Sequence, residues 1–182
     1  MRSLDILLSA CVLLLLSPLL LLLVLLGLFD TGSPLFRQVR VGRNQQPFIL
    51  IKFRTMRPET ASVATHLSDP QFITPLGRWL RRTKLDELPQ LWNVLRGEMS
   101  LVGPRPCLFQ QSELIKERAS RGVFAALPGI TGLAQVQKID MSTPALLAET
   151  DAEMLATLGL RAYFRYLALT VLGKGAGDRI RG

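Results

Sequence analysis

Hydrophobic positions fall along this chain in three regimes. From Ile6 to Leu28 they are continuous: 23 residues without a charged side chain, 14 of them leucine. At ~1.5 Å per residue, a helix of this length crosses a ~30 Å hydrocarbon core. The run is interrupted once, at Ser17-Pro18. Proline removes a backbone donor and crowds the preceding turn. In lipid the freed carbonyl needs another partner, and the Ser17 hydroxyl is placed to supply one. Two topologies follow: a kinked helix that spans the bilayer, and a broken helix that leaves by the face it entered. A cleaved leader is disfavoured by the weak charge before Ile6, the length of the run and the poor cleavage site at Asp30-Thr31-Gly32-Ser33-Pro34.

After residue 30 the spacing changes to period two. Leu35 to Val41 alternates partly with basic residues, Gly42-Arg43-Asn44 reads as a hairpin turn, and Pro47 to Met56 reads as a half-buried strand. Residues 58–74 are polar and predict an exposed loop, with the sole histidine, His66, as a surface residue.

The remainder is mainly helical in pattern. Pro75 to Arg82 predicts a short helix with Leu76, Trp79 and Leu80 on one side. Leu88, Leu91, Trp92 and Leu95 fall at i, i+3, i+4, i+7, and Gly97 supplies a stop. Pro89 is tolerated only in a first turn, so this helix is expected to begin close to Asp86-Glu87. Gln110 to Ala126 reads as a helix, and Pro128 to Val136 as a Gly-rich turn leading into a strand. Ser142-Thr143-Pro144 opens another helix carrying Leu146, Leu147, Met154, Leu155 and Leu158. Leu160 to Leu172 is the last; its Arg161 and Arg165 suit a helix lying on a membrane surface as well as ordinary core packing. The expected architecture is mostly α with a small β component: an anchor over 1–30, a compact domain over 31–172 and a flexible tail over 173–182.

Charge sharpens this division. Arg2, Asp5 and Asp30 are the charged residues among the first 30 and sum to −1, so with a chain total of +8 the remainder carries +9. A basic domain after an apolar segment suits an anionic membrane surface or a phosphorylated substrate. No nucleic-acid motif is present, so nucleic acid is not an expected partner. Arg37, Arg40 and Arg43 favour a cytoplasmic domain. Two cysteines, Cys11 and Cys107, give neither a disulfide framework nor a metal-ligand spacing.

The stretch richest in chemistry is Lys84-Leu85-Asp86-Glu87-Leu88-Pro89-Gln90. Its plainer role is structural, with Asp86 as an N-cap and Glu87 as a first-turn acid favoured by the helix dipole. Its chemical role is an anionic Asp86 under Arg81 and Lys84 that attacks phosphorus while Glu87 holds a divalent ion. Arg105, fixed between Pro104 and Pro106, is either a surface residue or a guanidinium aimed at phosphate. Lys52, Arg54 and Arg57 read most simply as a solvated strand face beside lipid headgroups.

Longer blocks carry a resemblance. Ser17-Pro18, Lys52-Phe53-Arg54-Thr55-Met56, Arg81, Leu85 to Leu95, Met99 to Pro106 and Pro128 to Gln135 resemble, in order, the bacterial sugar transferases, monotopic polyprenyl-phosphate phosphoglycosyl transferases. The length is similar to that of the small members that consist of the catalytic core. The resemblance implies a re-entrant helix broken at Ser17-Pro18, interfacial helices, and a catalytic domain on the cytoplasmic face of the bacterial inner membrane. It implies that Asp86 attacks a UDP-sugar and releases UMP, and that undecaprenyl phosphate accepts the sugar phosphate from the aspartyl intermediate. The product would begin a surface glycan such as a capsule, O-antigen, exopolysaccharide or glycoprotein glycan. Glu87 would hold Mg²⁺. Arg81, Arg105 and Lys52 would hold phosphate, with Arg54, Pro104, Gln135 and Asp151 as further pocket candidates. Inner-membrane lipids are implied partners, and a homodimer is left open.

The chain departs from the family pattern at Gln137-Lys138-Ile139, at Ala152-Glu153-Met154 and at Leu127, which bears on the identity of the sugar. Two other readings fit the anchor and the charge: a non-enzymatic module that binds anionic lipid, and a membrane phosphatase that uses Asp86.

Overall fold

The computed structural model describes residues 1–60 and 70–173. His66 and all but the first residue of the expected tail lie outside the described residues.

The apolar run forms two helices, α1 (Arg2–Leu15) and α2 (Ser17–Thr31), bent by 65° at the break between them. Pro18 sits in the first turn of α2, where its missing N–H costs no helical bond. The Ser17 hydroxyl donates to the Leu14 carbonyl at 2.8 Å, a group to which Pro18, four residues on, has no N–H to give. Neither helix alone is long and apolar enough to cross a membrane; by length and composition the bent pair together could. Gly32, in the left-handed region at φ 70°, ends α2.

Strands β1 (Leu35–Val41) and β2 (Pro47–Phe53) form an antiparallel hairpin, in register from Leu35 opposite Phe53 to Val41 opposite Pro47. Period two holds, but polar groups face inward with the apolar ones. Gln38, Arg40, Phe48, Leu50 and Lys52 are buried, while Arg37, Val39 and Ile49 are exposed. The expected solvated face for Lys52 is thereby corrected: at 6% exposure it points into the molecule.

Helix α3 (Pro75–Thr83) starts at Thr74, whose hydroxyl oxygen accepts from Gly77 N at 2.9 Å. It lies so close to the end of β2 that a Cβ at Gly77 would fall 2.1 Å from the Thr55 carbonyl oxygen. Lys84, at φ 59°, turns the chain out of α3 into a 3₁₀ turn over Leu85–Glu87. Helix α4 (Gln90–Arg96) follows, with Pro89 as its N-cap residue. Asp86 is therefore not the N-cap of this helix, and α4 starts later than expected. Proline supplies no donor, so the chain makes a separate turn before the helix.

Strand β3 (Ser100–Val102) pairs in parallel with β4 (Gly129–Thr131). The two glycine motifs meet here, where a Cβ on Gly129 would lie 2.0 Å from Gly103 N. Helix α5 (Ser112–Ser120) is shorter than expected. Gly122 at φ 69° ends that stretch, and a 3₁₀ turn covers Val123–Ala125. The predicted strand after Gly132 is instead a short helix, α6 (Leu133–Val136); Ala134 and Gln135 are buried, and Leu133 N meets the Met154 sulfur at 3.1 Å. Helices α7 (Pro144–Thr157) and α8 (Leu160–Val171) match their predicted spans within a residue or two.

The main core gathers Phe48, Leu50, Leu91, Val94, Met99, Leu101, Met154 and Tyr163 from β2, α4, the β3 segment, α7 and α8. The two tryptophans expected on inner faces are outside it: Trp79 is 46% and Trp92 54% exposed. Helix length is the reason. In helices of nine and seven residues the buried face is narrow, and Leu80, Leu91, Asn93 and Val94 fill it.

Both ends of the apolar helix pair are bonded to this domain. Arg2 donates to the carbonyls of Val94 (2.6 Å), Leu95 (3.3 Å) and Met99 (3.3 Å), capping the C-terminal end of α4. Asp5, 2% exposed, accepts from Leu101 N (3.0 Å), the Ser100 hydroxyl (2.9 Å) and the Tyr163 hydroxyl (2.7 Å). Burial and Asp5 together push the Tyr163 hydroxyl above its ordinary value, so it stays a donor. At the far end, Asp30 accepts from the Thr74 hydroxyl at 2.6 Å. The sequence boundary at residue 30 thus marks a change of composition, while the first turn of α1 is built into the domain.

Candidate active site

The 3₁₀ turn at Leu85–Glu87 is held from two sides. Asn93, fully buried, donates to the Ile49 carbonyl (2.7 Å) and to Glu98 (2.6 Å), and accepts from Ile51 N (3.1 Å). One side chain thus fixes α4 against the backbone of β2, setting the distance between Lys52 and the turn that precedes α4. Asp86 is 3% exposed in that turn. Glu87 and Arg105 form a salt bridge, Nη2 to Oε1 at 2.6 Å. The structure therefore brings together two residues that the sequence reading assigned separately, one to metal and one to phosphate.

Arg105 is also one wall of a small cavity lined by Arg40, Leu50, Lys52, Gln90, Arg105 and Pro106. Three basic side chains around one opening favour an anionic ligand, because each lowers the cost of bringing negative charge out of water. Arg40 donates to the Pro106 carbonyl (3.1 Å) and to Gln38 (2.6 Å), tying β1 to the loop that carries Arg105. Arg81 donates through Nε to the Thr55 hydroxyl at 2.8 Å, while its Nη1 is buried without a hydrogen-bond partner. A buried, unmatched guanidinium nitrogen is costly, and an incoming phosphate oxygen would satisfy it.

Other expected site residues take different places. Arg54 bonds the Ser33 carbonyl (2.9 Å) and hydroxyl (3.3 Å), fastening the segment after α2 to β2. Asp151 is fully buried and accepts two bonds from Arg118, at 3.0 Å and 2.6 Å; it stands behind the site. Arg118 also donates to the Arg105 carbonyl at 2.8 Å, so the pair holds the backbone from which Arg105 projects. Burial pushes the Asp151 carboxyl up from its ordinary value, and Arg118 pulls it back in part. Burial likewise pushes up the Cys107 thiol. Gln135 is 7% exposed, and neither its amide nitrogen nor its oxygen has a hydrogen-bond partner. Pro104 lines a second small recess, which shares Arg105 and Pro106 with the first.

The sequence reading missed Gln90, Asn93 and Arg118, and treated Arg40 only as a topogenic charge. Arg40 was accessible from alternation, since it lies two residues from Gln38 on the inward face. Arg118 gave no signal, because an arginine in an amphipathic helix looks like solvent-facing charge.

Among the described residues no group of three or more His, Cys, Asp or Glu side chains converges. Mg²⁺ is commonly held by one or two carboxylates, with substrate phosphates and water completing its shell. The Glu87 carboxylate, beside Asp86, fits that limited role and does not make a self-sufficient metal cage.

The fold joins an apolar bent helix pair to a domain with a cation-lined recess. The chain belongs to the bacterial sugar transferase family, whose family model matches residues 1–174. It is 46% identical over 143 residues to the UDP-glucose:undecaprenyl-phosphate glucose-1-phosphate transferase of Caulobacter vibrioides, covering 75% of this chain and 53% of that protein. It is 44% identical over 145 residues to the undecaprenyl-phosphate glucose phosphotransferase of Komagataeibacter xylinus, covering 74% and 27%. The exopolysaccharide production protein PSS of Rhizobium leguminosarum bv. phaseoli is 43% identical over 150 residues, covering 75% and 72%. The chain thus spans about a quarter to a half of the length of the first two of these relatives.

Proposed function

We propose that the protein transfers a sugar 1-phosphate from a UDP-sugar to undecaprenyl phosphate, starting the assembly of an exopolysaccharide or related surface glycan. The observation that carries this reading is the buried Asp86 in a turn whose neighbour Glu87 is locked to Arg105, itself a wall of the cavity that Arg40 and Lys52 also line. The names of the Caulobacter and Komagataeibacter relatives support the lipid acceptor and the nucleotide donor.

In this mechanism Asp86 attacks the phosphorus that bears the sugar. The bond from that phosphorus to the UMP oxygen breaks, UMP leaves with the electron pair, and an aspartyl phosphosugar remains. An oxygen of undecaprenyl phosphate then attacks the same phosphorus and releases the Asp86 carboxylate. Lys52, Arg81 and Arg105 bind the donor's phosphates and offset their charge. Glu87, next to Asp86, would hold Mg²⁺; when bound, the ion supplies neutralisation of the diphosphate.

The same reading includes a re-entrant anchor. Arg2 and Asp5 at one end of the helix pair and Asp30 at the other are all bonded to one domain, which favours both ends lying on the same membrane face. A tag placed before Met1 is expected to be protected from reagents that reach only the outer face of the cytoplasmic membrane; labelling there would require a spanning helix.

The activity is tested by incubating the full chain with undecaprenyl phosphate and a panel of UDP-sugars. UMP and a lipid-linked diphosphosugar are the expected products. Free sugar phosphate in place of the lipid product would identify a phosphatase. Salt-sensitive liposome binding with no UMP from any donor would identify a lipid-binding module.

A further inference from the structure

Strand β3 is held along both edges. On one edge Ser100 and Val102 stand opposite Gly129 and Thr131 of β4, and Ser100 N donates to the Pro128 carbonyl at 2.8 Å. Successive backbone groups of a strand point to opposite sides, so Leu101 N faces the other edge. No third strand lies there among the described residues. The Asp5 carboxylate takes its place: Oδ1 accepts from Leu101 N at 3.0 Å. The same carboxylate accepts from the Ser100 hydroxyl through Oδ2 (2.9 Å) and from the Tyr163 hydroxyl through Oδ1 (2.7 Å). One side chain from the first turn of α1 thus fixes the free edge of β3 and ties it to α8.

Strand β3 runs directly into Gly103-Pro104-Arg105-Pro106. Each proline fixes one backbone angle and restricts the residue before it, so this loop has little freedom to absorb a displacement of the strand. Gly103 N bonds the Thr131 carbonyl and Gly129 N bonds the Pro104 carbonyl, both at 2.8 Å, which keeps the loop in step with the sheet. At its end the Arg105 guanidinium meets Glu87 at 2.6 Å, next to Asp86. We infer that Asp5 is a positioning residue of the active site: it sets β3, and through β3 and the stiff loop it sets Arg105 against Glu87. This rests on the transferase reading above and extends it to a residue of the apolar anchor. The anchor then completes the site as well as tethering it.

An acid in the first turn of a helix also complements the helix dipole, and that role needs its charge. Positioning needs an acceptor at a fixed reach. The three donors to Asp5 are a backbone N–H and two hydroxyls, all neutral, so the two roles separate by substitution. Asparagine keeps the reach. Its amide oxygen can accept from Leu101 N and Tyr163, and its amide nitrogen can donate to the Ser100 hydroxyl, which turns to accept. Glutamate keeps the charge and lengthens the arm by one methylene, in a place where Asp5 is already 2% exposed. It must push β3 or give up its bonds.

The test follows UMP release by the full chain in detergent micelles, with undecaprenyl phosphate and whichever UDP-sugar the panel above selects; thermal unfolding of each variant reports the fold. Asp5→Asn is expected to keep turnover within about threefold of the wild type, and Asp5→Glu to lose about tenfold or more, the scale of a small misplacement passed to a reacting group. If Asp5→Glu does not accumulate as folded protein, Asp5→Ser, with too short an arm, replaces it with the same expected loss. Combined with Arg105→Ala, the Asp5→Glu substitution should cost no more than about twofold beyond Arg105→Ala alone, because a residue that acts through Arg105 then has nothing left to position. Turnover kept in Asp5→Glu and lost in Asp5→Asn would overturn the inference and assign Asp5 to its charge. Losses that multiply in the double variant would also overturn it and make Asp5 a general support of the fold, as would full turnover in every Asp5 variant. In each case UMP release by the wild type leaves the transferase reading standing; no UMP from any UDP-sugar removes that reading and this inference together.

Discussion

Asp86→Asn is expected to reduce UMP release by about a thousandfold or more, the scale of removing a reacting nucleophile. The substitution preserves size and shape at a position that is 3% exposed, so the backbone turn has little reason to move. It removes the charge and the nucleophilic oxygen together. Phosphate binding through Arg81, Lys52 and Arg105 does not depend on the Asp86 carboxylate in this account, so donor affinity should change far less than turnover. The informative measurement is therefore a kcat loss with a small change in donor Kd. Loss of donor binding with an unchanged kcat would place Asp86 in recognition.

Asp151→Ala is expected to destabilise the protein by ~3–5 kcal/mol, the usual scale for removing one partner of a buried ion pair. Arg118 is 1% exposed and donates two bonds to Asp151, so the truncation strands a guanidinium charge in the interior. The third donor of Arg118 holds the Arg105 carbonyl, so activity should fall as well. The double variant Arg118→Met, Asp151→Leu separates the two effects. Removing both charges should recover much of the stability, since an apolar pair of similar volume avoids the desolvation cost. It should leave turnover low, because the Arg105 carbonyl then loses the guanidinium that holds it. Thermal unfolding and UMP release on the same three proteins check this; full activity in the double variant would show that Arg105 is positioned by other means.

These expectations differ in how far the sequence alone would have supplied them. The bend at Ser17-Pro18, the β1–β2 hairpin, α7 and α8 were legible because proline, glycine and regular apolar spacing act locally. The acids at 86 and 87 stood out as chemistry, but their conformation did not. A 3₁₀ turn before Pro89 and a true helix start look alike in composition, and the choice rests on Lys84 adopting a left-handed conformation. Lys52 read as solvated because charge on a strand usually is. Its burial depends on which hairpin face meets α4, and that is decided by Asn93 reaching Ile49 and Ile51 across more than 40 residues. The Arg118–Asp151 pair joins residues 33 apart on two helices and leaves no spacing signature. Asp5 was counted as a stray charge before an apolar run; three donors from Ser100, Leu101 and Tyr163 make it the point where α1 enters the domain.

The account turns on a covalent bond to Asp86, and that bond can be looked for directly. The full chain, mixed with its UDP-sugar in the absence of undecaprenyl phosphate, should release UMP in an amount equal to the enzyme and then stop. Intact-mass measurement should show a gain of one sugar phosphate, mapped by fragmentation to the peptide containing Asp86 and removed when undecaprenyl phosphate is added. UMP that appears only with the lipid acceptor, and a protein mass unchanged at every time, would contradict the account and mean that the sugar phosphate passes from donor to acceptor in one step.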